Sequence, residues 1–309
     1  MSLRILEPGP LALVEDLGRP GRADIGVSSS GALDRAALRL GNRLVGNDEG
    51  CAALEILLGG FSARFENDAW FAVTGASGLL LLDEFAVDAH LPVRAPAGSV
   101  LRIGAADTGV RFYLAIRGGI DMPAVLGSRS SDVLSGLGPA PLRADDVLPV
   151  GAHPANRVGL VDFVPVDHPA SGTVSVAAHP GPRADWFTES ALSAFFEHEW
   201  AVSPESNRVG ARLDPVREPA HLAGREPGAV PLLERAVVDE LPSEMMVAGS
   251  VQVSPDGRPT VLLADHPVTG GYPVIAVVAD ASLDLFAQLR PGQHVAFRHA
   301  SAHDSRAAG

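Results

Sequence analysis

The stretch LPSEMMVAGSVQVSPDGRPTVLLADHPVTGGYP, residues 241–273, shows how this chain builds its strands and where it places polar groups. Val261-Leu-Leu-Ala264 is short, apolar and bounded by turn residues, which predicts a buried strand. Asp265 and His266 follow directly, and Gly270-Gly271 predicts a turn after them. A strand end that presents acidic and basic side chains to a glycine-containing loop is a common reactive site, although such residues also cap ordinary turns.

Short strands and tight turns are predicted for most of the chain. Its 309 residues include 33 Gly and 25 Pro, and 46% are hydrophobic, which suits many short strands around a sizeable core. Apolar residues at helical spacing predict helices over about 32–44, 188–198 and 282–289. Because strands do not alternate regularly with helices, we predict a mainly β chain with two barrel-like domains.

Two loop-like segments, 149–156 and 168–172, are the candidate domain boundaries. A chain of 309 residues is long enough for two domains of ordinary size. We place the boundary at the second segment, which gives an N-terminal domain over 1–168 and a C-terminal domain over 169–300. The polar tail, 301–309, is expected to be disordered.

The charged residues exclude several functions. All 24 basic residues are Arg, so the chain has no lysine for a Schiff base, a phosphate loop or a biotin attachment. Phosphate or carboxylate groups must then be bound by Arg, backbone N–H groups or a metal. The net charge of −13 without a basic tract argues against nucleic acid or anionic membranes as partners.

The remaining composition favours a soluble cytoplasmic protein. Cys51 is the single cysteine, so no intrachain disulfide is possible. The start of the chain lacks an apolar signal segment, and the apolar run at 69–82 is too short and too interrupted by Gly to span a bilayer. Motifs for nucleotide loops and zinc are absent, and the histidines have no metal-ligand spacing, so we predict no metal site.

A serine-rich loop precedes the first predicted helix. In Gly26–Asp34, Ser30 or Gly31 is the expected N-cap of that helix, and the loop is an alternative anion cradle. Thr188 is the expected N-cap of the second helix. Glu55 interrupts an apolar run, so we expect it either to pair with Arg or to belong to a site.

Two sets of motifs resemble one family. The motifs are Leu241–Glu244, Gln252-Val253, Val261–His266 and Thr269–Pro273, together with Asp16–Gly21, Gly26–Asp34, Leu40–Asn47, Leu54-Glu55, Arg117–Ile120 and Gly127–Ser130. They are similar to those of the biotin-dependent carboxyltransferase-like proteins, a family that includes the second subunit of allophanate hydrolase and the C subunit of 5-oxoprolinase. The resemblance covers roughly residues 3–298.

This resemblance implies a pair of cyclophilin-like β-barrels and a partner chain, a KipI-like B subunit. Fused relatives transfer a carboxyl group from carboxybiotin to urea. Stand-alone pairs act with a third subunit as an ATP-dependent 5-oxoprolinase, and other members are KipA-like regulators of a sporulation kinase. The likeness to cyclophilin concerns the fold and does not imply prolyl isomerisation.

On the matched motif positions we predict a site. The predicted catalytic residues are Glu244, Asp265, His266 and Tyr272. The predicted substrate-binding residues are Gln252, Thr269, Gly270, Gly271, Arg19, Ser28, Ser30, Arg43, Arg129 and Arg208. We expect the catalytic residues and Gln252 to line one concavity, because polar residues near adjacent strand ends converge.

The leading functional hypothesis is one subunit of an ATP-dependent 5-oxoprolinase. ATP, with Mg, is expected to act together with partner subunits, namely the KipI-like B subunit and a third oxoprolinase subunit. One alternative is carboxyl transfer to urea or a related amide, for which biotin must arrive on another chain. The other alternative is a KipA-like, non-enzymatic regulator that binds the B subunit.

Overall fold

The computed structural model describes residues 1–159, 161, 163–166, 171–216, 232–301 and 304. Within these residues it contains three α-helices, which are α1 (Arg35–Leu44), α2 (Glu189–Glu197) and α3 (Asp280–Phe286). All three overlap the predicted helices. The predicted domain boundary and most of the predicted tail lie outside the described residues, so both stay predictions. In the described part, no helix is both long enough and apolar enough to cross a membrane.

Contacts between Cα atoms divide the chain into two compact units. Unit 1 comprises Met1–Arg22 and Ser29–Pro169, and unit 2 comprises Ala23–Ser28 and Ala170–Gly309. The strands of unit 1 are β1 (Ser2–Pro8), β2 (Leu11–Glu15), β3 (Ala53–Leu57), β4 (Phe61–Phe65), β5 (Ala69–Leu82), β6 (Phe85–Ala86), β7 (Val93–Ala95), β8 (Val100–Ile116) and β9 (Val147–Pro149). The strands of unit 2 are β10 (Val174–Pro180), β11 (Glu199–Val202), β12 (Gly210–Pro215), β13 (Glu244–Met245), β14 (Ser250–Val253), β15 (Pro259–Leu262), β16 (Thr269–Gly270), β17 (Val274–Val278) and β18 (His294–His299).

Unit 1 is a nine-stranded sheet that curls into a half-barrel. Its main path runs β2-β3-β8-β4-β1-β9, and β5 pairs with β6, β7 and β8. The long strand β8 therefore joins three parts of the sheet, because it pairs with β3, β4 and β5 along its length. One face of the sheet carries a buried core that includes Phe61, Phe65, Phe71 and Phe112.

Helix α1 packs closely on the other face of this sheet. Ala37, Leu38 and Leu44 are buried with Tyr113 and other sheet residues. Gly41 permits the close approach, because a methyl group there would lie 3.1 Å from the Ala115 Cβ atom. The apolar stripe read from the sequence is therefore the buried face of this helix.

The predicted N-cap of α1 is wrong. Asp34 is the N-cap, and its carboxylate accepts a hydrogen bond from Ala37 N at 2.8 Å. The Ser30 hydroxyl instead donates to Ser131 O at 3.1 Å, and the Ser30 backbone has a φ of 51°. Because Ser30 and Gly31 both have positive φ values, the chain is still in an irregular loop at these residues.

Unit 2 contains a closed seven-stranded barrel, with the strand order β10-β17-β14-β15-β12-β11-β18. Thr188 caps α2 as predicted, since its hydroxyl accepts from Ala191 N at 3.2 Å. Phe195 of this helix stacks on Phe297 of β18, with ring centroids 4.4 Å apart. The predicted mainly β fold is confirmed, with one closed barrel and one half-barrel.

Candidate functional site

The C-terminal motifs meet at a small two-stranded sheet in unit 2. Strands β13 and β16 pair so that Glu244 lies opposite Gly270 and Met245 lies opposite Thr269. A methyl group on Gly270 would lie 2.4 Å from Gln252 Nε2, so the Gln252 amide packs directly against the Gly270 backbone. The structure therefore brings together residues that are separated by up to 26 positions in the sequence.

Gln252 and Tyr272 complete this group. Gln252 is buried, and its Nε2 donates to Tyr272 O at 3.3 Å. The side chain of Tyr272 is 47% exposed, and the Arg235 guanidinium lies 5.9 Å from its ring centroid. The Tyr272 hydroxyl is therefore an accessible donor, whereas the Gln252 amide nitrogen is used by Tyr272 O and by Met246 Sδ at 3.5 Å.

Glu244 is held by Arg183, a residue that the sequence did not single out. Arg183 Nε lies 2.9 Å from Glu244 Oε1 and 3.2 Å from Oε2, and Arg183 Nη2 also donates to Oε1. These hydrogen bonds, followed by the charge of Arg183, lower the pKa of Glu244. Glu244 is therefore a carboxylate at neutral pH, which suits an electrostatic role better than proton donation.

Asp265 and Arg208 form a buried ion pair. Arg208 Nε donates to Asp265 Oδ2 at 2.8 Å and Arg208 Nη2 donates to Oδ1 at 3.0 Å. The Asp265 side chain is 0% exposed, and Asp265 N also donates to Arg208 O at 3.1 Å. Because the two buried charges lie in direct contact, this geometry supports a structural role, and the predicted catalytic and substrate-binding roles stay predictions.

His266 is oriented by the backbone. It is 5% exposed, and its Nδ1 lies 2.9 Å from Pro267 O. A carbonyl oxygen only accepts hydrogen bonds, so Nδ1 carries the hydrogen and Nε2 is the basic nitrogen. Among the described residues, Nε2 has no hydrogen-bond partner. His266 is thus the predicted acid/base residue whose basic atom is available.

A second polar group, the Asp16 cluster of unit 1, joins the N-terminal motifs. We define it by Asp16, Arg19, Ser30, Ser128, Arg129, Ser130 and Ser131. The Asp16 carboxylate is buried and accepts from Gly18 N at 2.7 Å. It also accepts from the hydroxyls of Ser128 and Ser130 and from Arg129 N, each at 2.6 Å. Asp16 therefore fixes the backbone of two loops that lie more than 100 residues apart.

Arg19 is the cation at the centre of this cluster. Its Nη2 donates to Ser130 O, and its Nε lies 3.4 Å from Val125 O. Its backbone N donates to Ser29 O at 2.7 Å. The predicted substrate-binding residues Arg19, Ser30 and Arg129 are therefore brought together.

Two other predicted residues are Arg43 and Ser28. Arg43 is on α1 and pairs with Glu49 at 2.7 Å, with its side chain 54% exposed. Ser28 is buried and groups with unit 2. Asp16, Ser128 and Ser130 were not predicted as site residues, although they stand in the quoted motifs Asp16–Gly21 and Gly127–Ser130.

The start of α1 is held by the sheet beneath it. Glu55 Oε2 accepts from Leu33 N at 3.0 Å and from the Tyr113 hydroxyl at 2.7 Å, and that hydroxyl accepts from Asp34 N at 2.8 Å. Arg111 Nε lies 3.3 Å from Glu55, which confirms the expected pairing with Arg. Burial, followed by the charges of Glu55 and Asp34, raises the pKa of Tyr113. The Leu33 and Asp34 N–H groups are thus used internally, and the alternative of an anion cradle at this loop and helix start stays a prediction.

The expected concavity around the catalytic residues stays a prediction. A cavity of about 550 Å³ lies between α2 and the barrel, and none of the predicted catalytic residues lines it. In the described part of the chain, no group of three or more His, Cys, Asp or Glu side chains is arranged to hold a metal ion.

A protein-family model described as "carboxyltransferase domain, subdomain A and B" matches residues 25–299. The chain belongs to this family. It is 37% identical to the C subunit of the Escherichia coli 5-oxoprolinase over 98% of this chain and 93% of that protein. It is 34% identical to the urea amidolyase of Saccharomyces cerevisiae over 99% of this chain, but over only 17% of that protein.

A solved structure of another family member shows the same fold. The crystal structure of the K. lactis urea amidolyase superposes with a TM-score of 0.86 at 30% identity, over 99% of this chain and 19% of that chain. The resemblance drawn from the sequence motifs is therefore confirmed. The matched region is thus nearly the whole of the oxoprolinase subunit. In the urea amidolyases it is a fifth or less of a much larger protein.

Proposed function

We propose that this chain is the C subunit of an ATP-dependent 5-oxoprolinase, which opens 5-oxoproline to glutamate together with partner subunits. The supporting observation is the similarity to the C subunit of the E. coli 5-oxoprolinase, because it extends over nearly the whole length of both chains. The partners are a KipI-like B subunit and a third oxoprolinase subunit. A cytoplasmic location is part of the proposal, since the reaction draws on ATP.

The lactam amide is a poor electrophile, so the reaction needs ATP. Transfer of the γ-phosphoryl group of ATP to the lactam oxygen makes the ring carbon electrophilic. Water then adds to this carbon, and the ring C–N bond breaks as the nitrogen takes up a proton. Hydrolysis of the resulting acyl phosphate by a second water releases phosphate. ATP and Mg are assigned to the assembled complex.

The residues of unit 2 supply proton transfer and amide recognition in this proposal. His266 Nε2 accepts a proton from the attacking water and delivers a proton to the leaving nitrogen, because Nδ1 is held by Pro267 O. The Tyr272 hydroxyl and the oxygen of the Gln252 amide orient the lactam, because the Gln252 nitrogen is used internally. Glu244 stays ionised and acts through Arg183, its hydrogen-bond partner.

Carboxyl transfer to urea is the second candidate, because the chain also resembles urea amidolyases over 99% of its own length. In that reaction biotin would be supplied on another chain, since this chain has no Lys. The full-length match to an oxoprolinase subunit favours the first candidate.

Reconstitution distinguishes the two candidates. The chain is co-purified with its B subunit and third subunit, and glutamate and ADP are measured with 5-oxoproline and ATP. We expect glutamate and ADP in equal amounts, and no turnover by this chain alone. Carboxylation of urea from a carboxybiotin carrier, without any glutamate from 5-oxoproline, would establish the second candidate instead.

The role of His266 is tested in the same complex. We expect His266→Ala to lower turnover by about 10²–10⁴-fold, the usual contribution of a general acid/base, with a nearly unchanged melting temperature. His294→Ala is the matched control, because His294 is a partly exposed histidine that pairs with Glu199 at 2.8 Å. A loss of activity that only follows the loss of folded protein would show that His266 is structural.

A further inference from the structure

Arg235 is held beside Tyr272 within unit 2. Its backbone forms an isolated antiparallel bridge with Phe187, and its Nη2 donates to Val253 O at 2.6 Å, at the end of β14. The guanidinium lies 5.9 Å from the centroid of the Tyr272 ring, which is within the range of about 6 Å for cation–π attraction. All of these residues belong to unit 2. Arg235 is therefore fixed at both its backbone and its side chain.

The charge of Arg235 has no described counter-charge. Several other arginines of unit 2 form ion pairs with Asp or Glu, and these are Arg183, Arg208, Arg212, Arg258 and Arg298. Among the residues that the structure describes, no carboxylate lies within ion-pair distance of Arg235. Its guanidinium contacts the Val253 carbonyl and the Tyr272 ring, and both are uncharged. Its charge is therefore open to an anionic ligand.

The guanidinium of Arg235 also has hydrogen-bond donors to spare. A guanidinium carries five N–H groups, and Val253 O accepts from Nη2 alone. Nε is buried without an acceptor in the described part of the chain, which is rare for a polar atom. Nη1 likewise makes no described hydrogen bond, but it is not one of the sealed atoms. Nη1 is therefore the donor that a ligand can reach.

The neighbours of Arg235 determine which anion fits. The side chain of Tyr272 is 47% exposed, and Tyr272 O accepts from Gln252 Nε2 at 3.3 Å. Tyr272 thus contacts both the Gln252 amide and the Arg235 guanidinium. In the proposed function Tyr272 and Gln252 orient the lactam. A cation beside them suits a negative group on the same small ring.

We infer that Arg235 binds the carboxylate of 5-oxoproline through Nη1, an inference that rests on the proposed function. This carboxylate is attached to the ring carbon next to the lactam nitrogen, so a cation beside the residues that hold the lactam can reach it. A carboxylate matches a guanidinium in charge and in hydrogen-bond geometry, and a guanidinium can bind it while stacked on an aromatic ring. Urea carries no charge, so this contact favours the lactam acid over a neutral amide.

The assembled three-subunit complex provides the main test, with kcat and KM measured for 5-oxoproline and for ATP. We expect Arg235→Met to raise the KM for 5-oxoproline by about ten- to a hundredfold with little change in kcat, because a binding contact is lost. Arg258→Met is the matched control, since Arg258 is an exposed arginine of unit 2 that pairs with Asp214 at 2.8 Å, and its KM should stay unchanged. An unchanged KM for 5-oxoproline in Arg235→Met would refute the contact. A raised KM for ATP alone would assign Arg235 to a phosphate group and would also overturn the inference.

Two competing ligands test whether the contact is to the carboxylate. Neutral 2-pyrrolidinone keeps the lactam and lacks the carboxylate, whereas cyclopentanecarboxylate keeps the carboxylate and lacks the amide. We expect Arg235→Met to weaken inhibition by cyclopentanecarboxylate and to leave inhibition by 2-pyrrolidinone unchanged. An equal loss for both ligands would show a general change of the site and would overturn the inference. Should Arg235→Met not fold, the wild-type complex decides, because the inference requires 2-pyrrolidinone to bind at least about tenfold more weakly than 5-oxoproline.

Binding measured apart from turnover separates this inference from the proposed function. Equilibrium dialysis gives the Kd of radiolabelled 5-oxoproline for the same complexes. A wild-type complex that binds 5-oxoproline through Arg235 but releases no glutamate would overturn the proposed function alone. A complex that releases glutamate, with the same Kd in the wild type and in Arg235→Met, would overturn the Arg235 contact alone.

Discussion

Arg208 of unit 2 and Arg19 of unit 1 are both 2% exposed, but their surroundings differ. Arg208 makes two hydrogen bonds to the buried carboxylate of Asp265. Arg19 contacts two carbonyl oxygens and keeps one nitrogen without an acceptor. In unit 2 the buried charges neutralise each other, whereas in the Asp16 cluster the carboxylate is satisfied by neutral donors and the cation is not neutralised by contact.

This difference shows that burial alone does not mark a binding residue. Asp265 and Arg208 were both predicted as site residues because of their charge and motif positions, yet each is occupied by the other. A buried pair of this kind holds loops together and has little capacity left for a ligand. Arg19, in contrast, donates only to carbonyl oxygens.

The largest expected effect is the loss of the Asp265–Arg208 pair. We expect Arg208→Met to destabilise the protein by about 3–5 kcal/mol, because it leaves the Asp265 carboxylate buried without its cation. The double variant Arg208→Met with Asp265→Leu should recover much of this loss. Urea unfolding followed by tryptophan fluorescence measures both, and a change of less than about 1 kcal/mol would show that this pair does not hold the fold.

An intermediate effect is expected at Asp16. We expect Asp16→Asn to cost about 1–3 kcal/mol, because an amide replaces a carboxylate oxygen that accepts buried hydrogen bonds. Urea unfolding measures this loss of stability. Asp68→Asn, at an exposed pair of unit 1, is the control, and equal behaviour of the two variants would contradict the anchoring role.

The smallest expected effect concerns the partly exposed pair of Arg183 and Glu244. The pKa of Glu244 is lowered below its usual value of 4.5, so the pair stabilises the folded state above that value and this stabilisation is lost as the pH falls through the lowered pKa. We expect Arg183→Gln to lower the stability only slightly at pH 7, because the pair is partly exposed. The difference from wild type should shrink as the pH falls below 4.5 and vanish below the lowered pKa of Glu244. A difference that grows on acidification would contradict this assignment.

The sequence predicted the elements of the fold well because their signals are local. The apolar spacing at 32–44 extends over fewer than four helical turns and the cap at Thr188 over one, so both can be read without the tertiary structure. The start of α1 was misplaced because Ser30 and Gly31 have positive φ values and Asp34 does the capping. Several residues of the loop before α1 have side chains that can cap a helix. The backbone conformation decides which of them is the N-cap.

The site was predicted less well because its contacts are not local. Glu244 and Arg183 are 61 residues apart, and Asp265 and Arg208 are 57 apart, so the spacing gives no sign of either pair. The motifs located most of the relevant residues, including the loops at Asp16 and Ser128. They did not show which charges neutralise each other, since that depends on how the strands are arranged in the sheet.

The length of β8 has a consequence for synthesis on the ribosome. Strand β2 pairs with β3, β1 pairs with β4, and β5 pairs with β6 and β7, but only β8 joins these three parts among the described strands. A growing chain therefore carries three small sheet fragments with apolar faces until residue 116 has emerged. At about 5–20 residues per second this delay lasts seconds, during which the apolar faces of these fragments lack the strand that joins them.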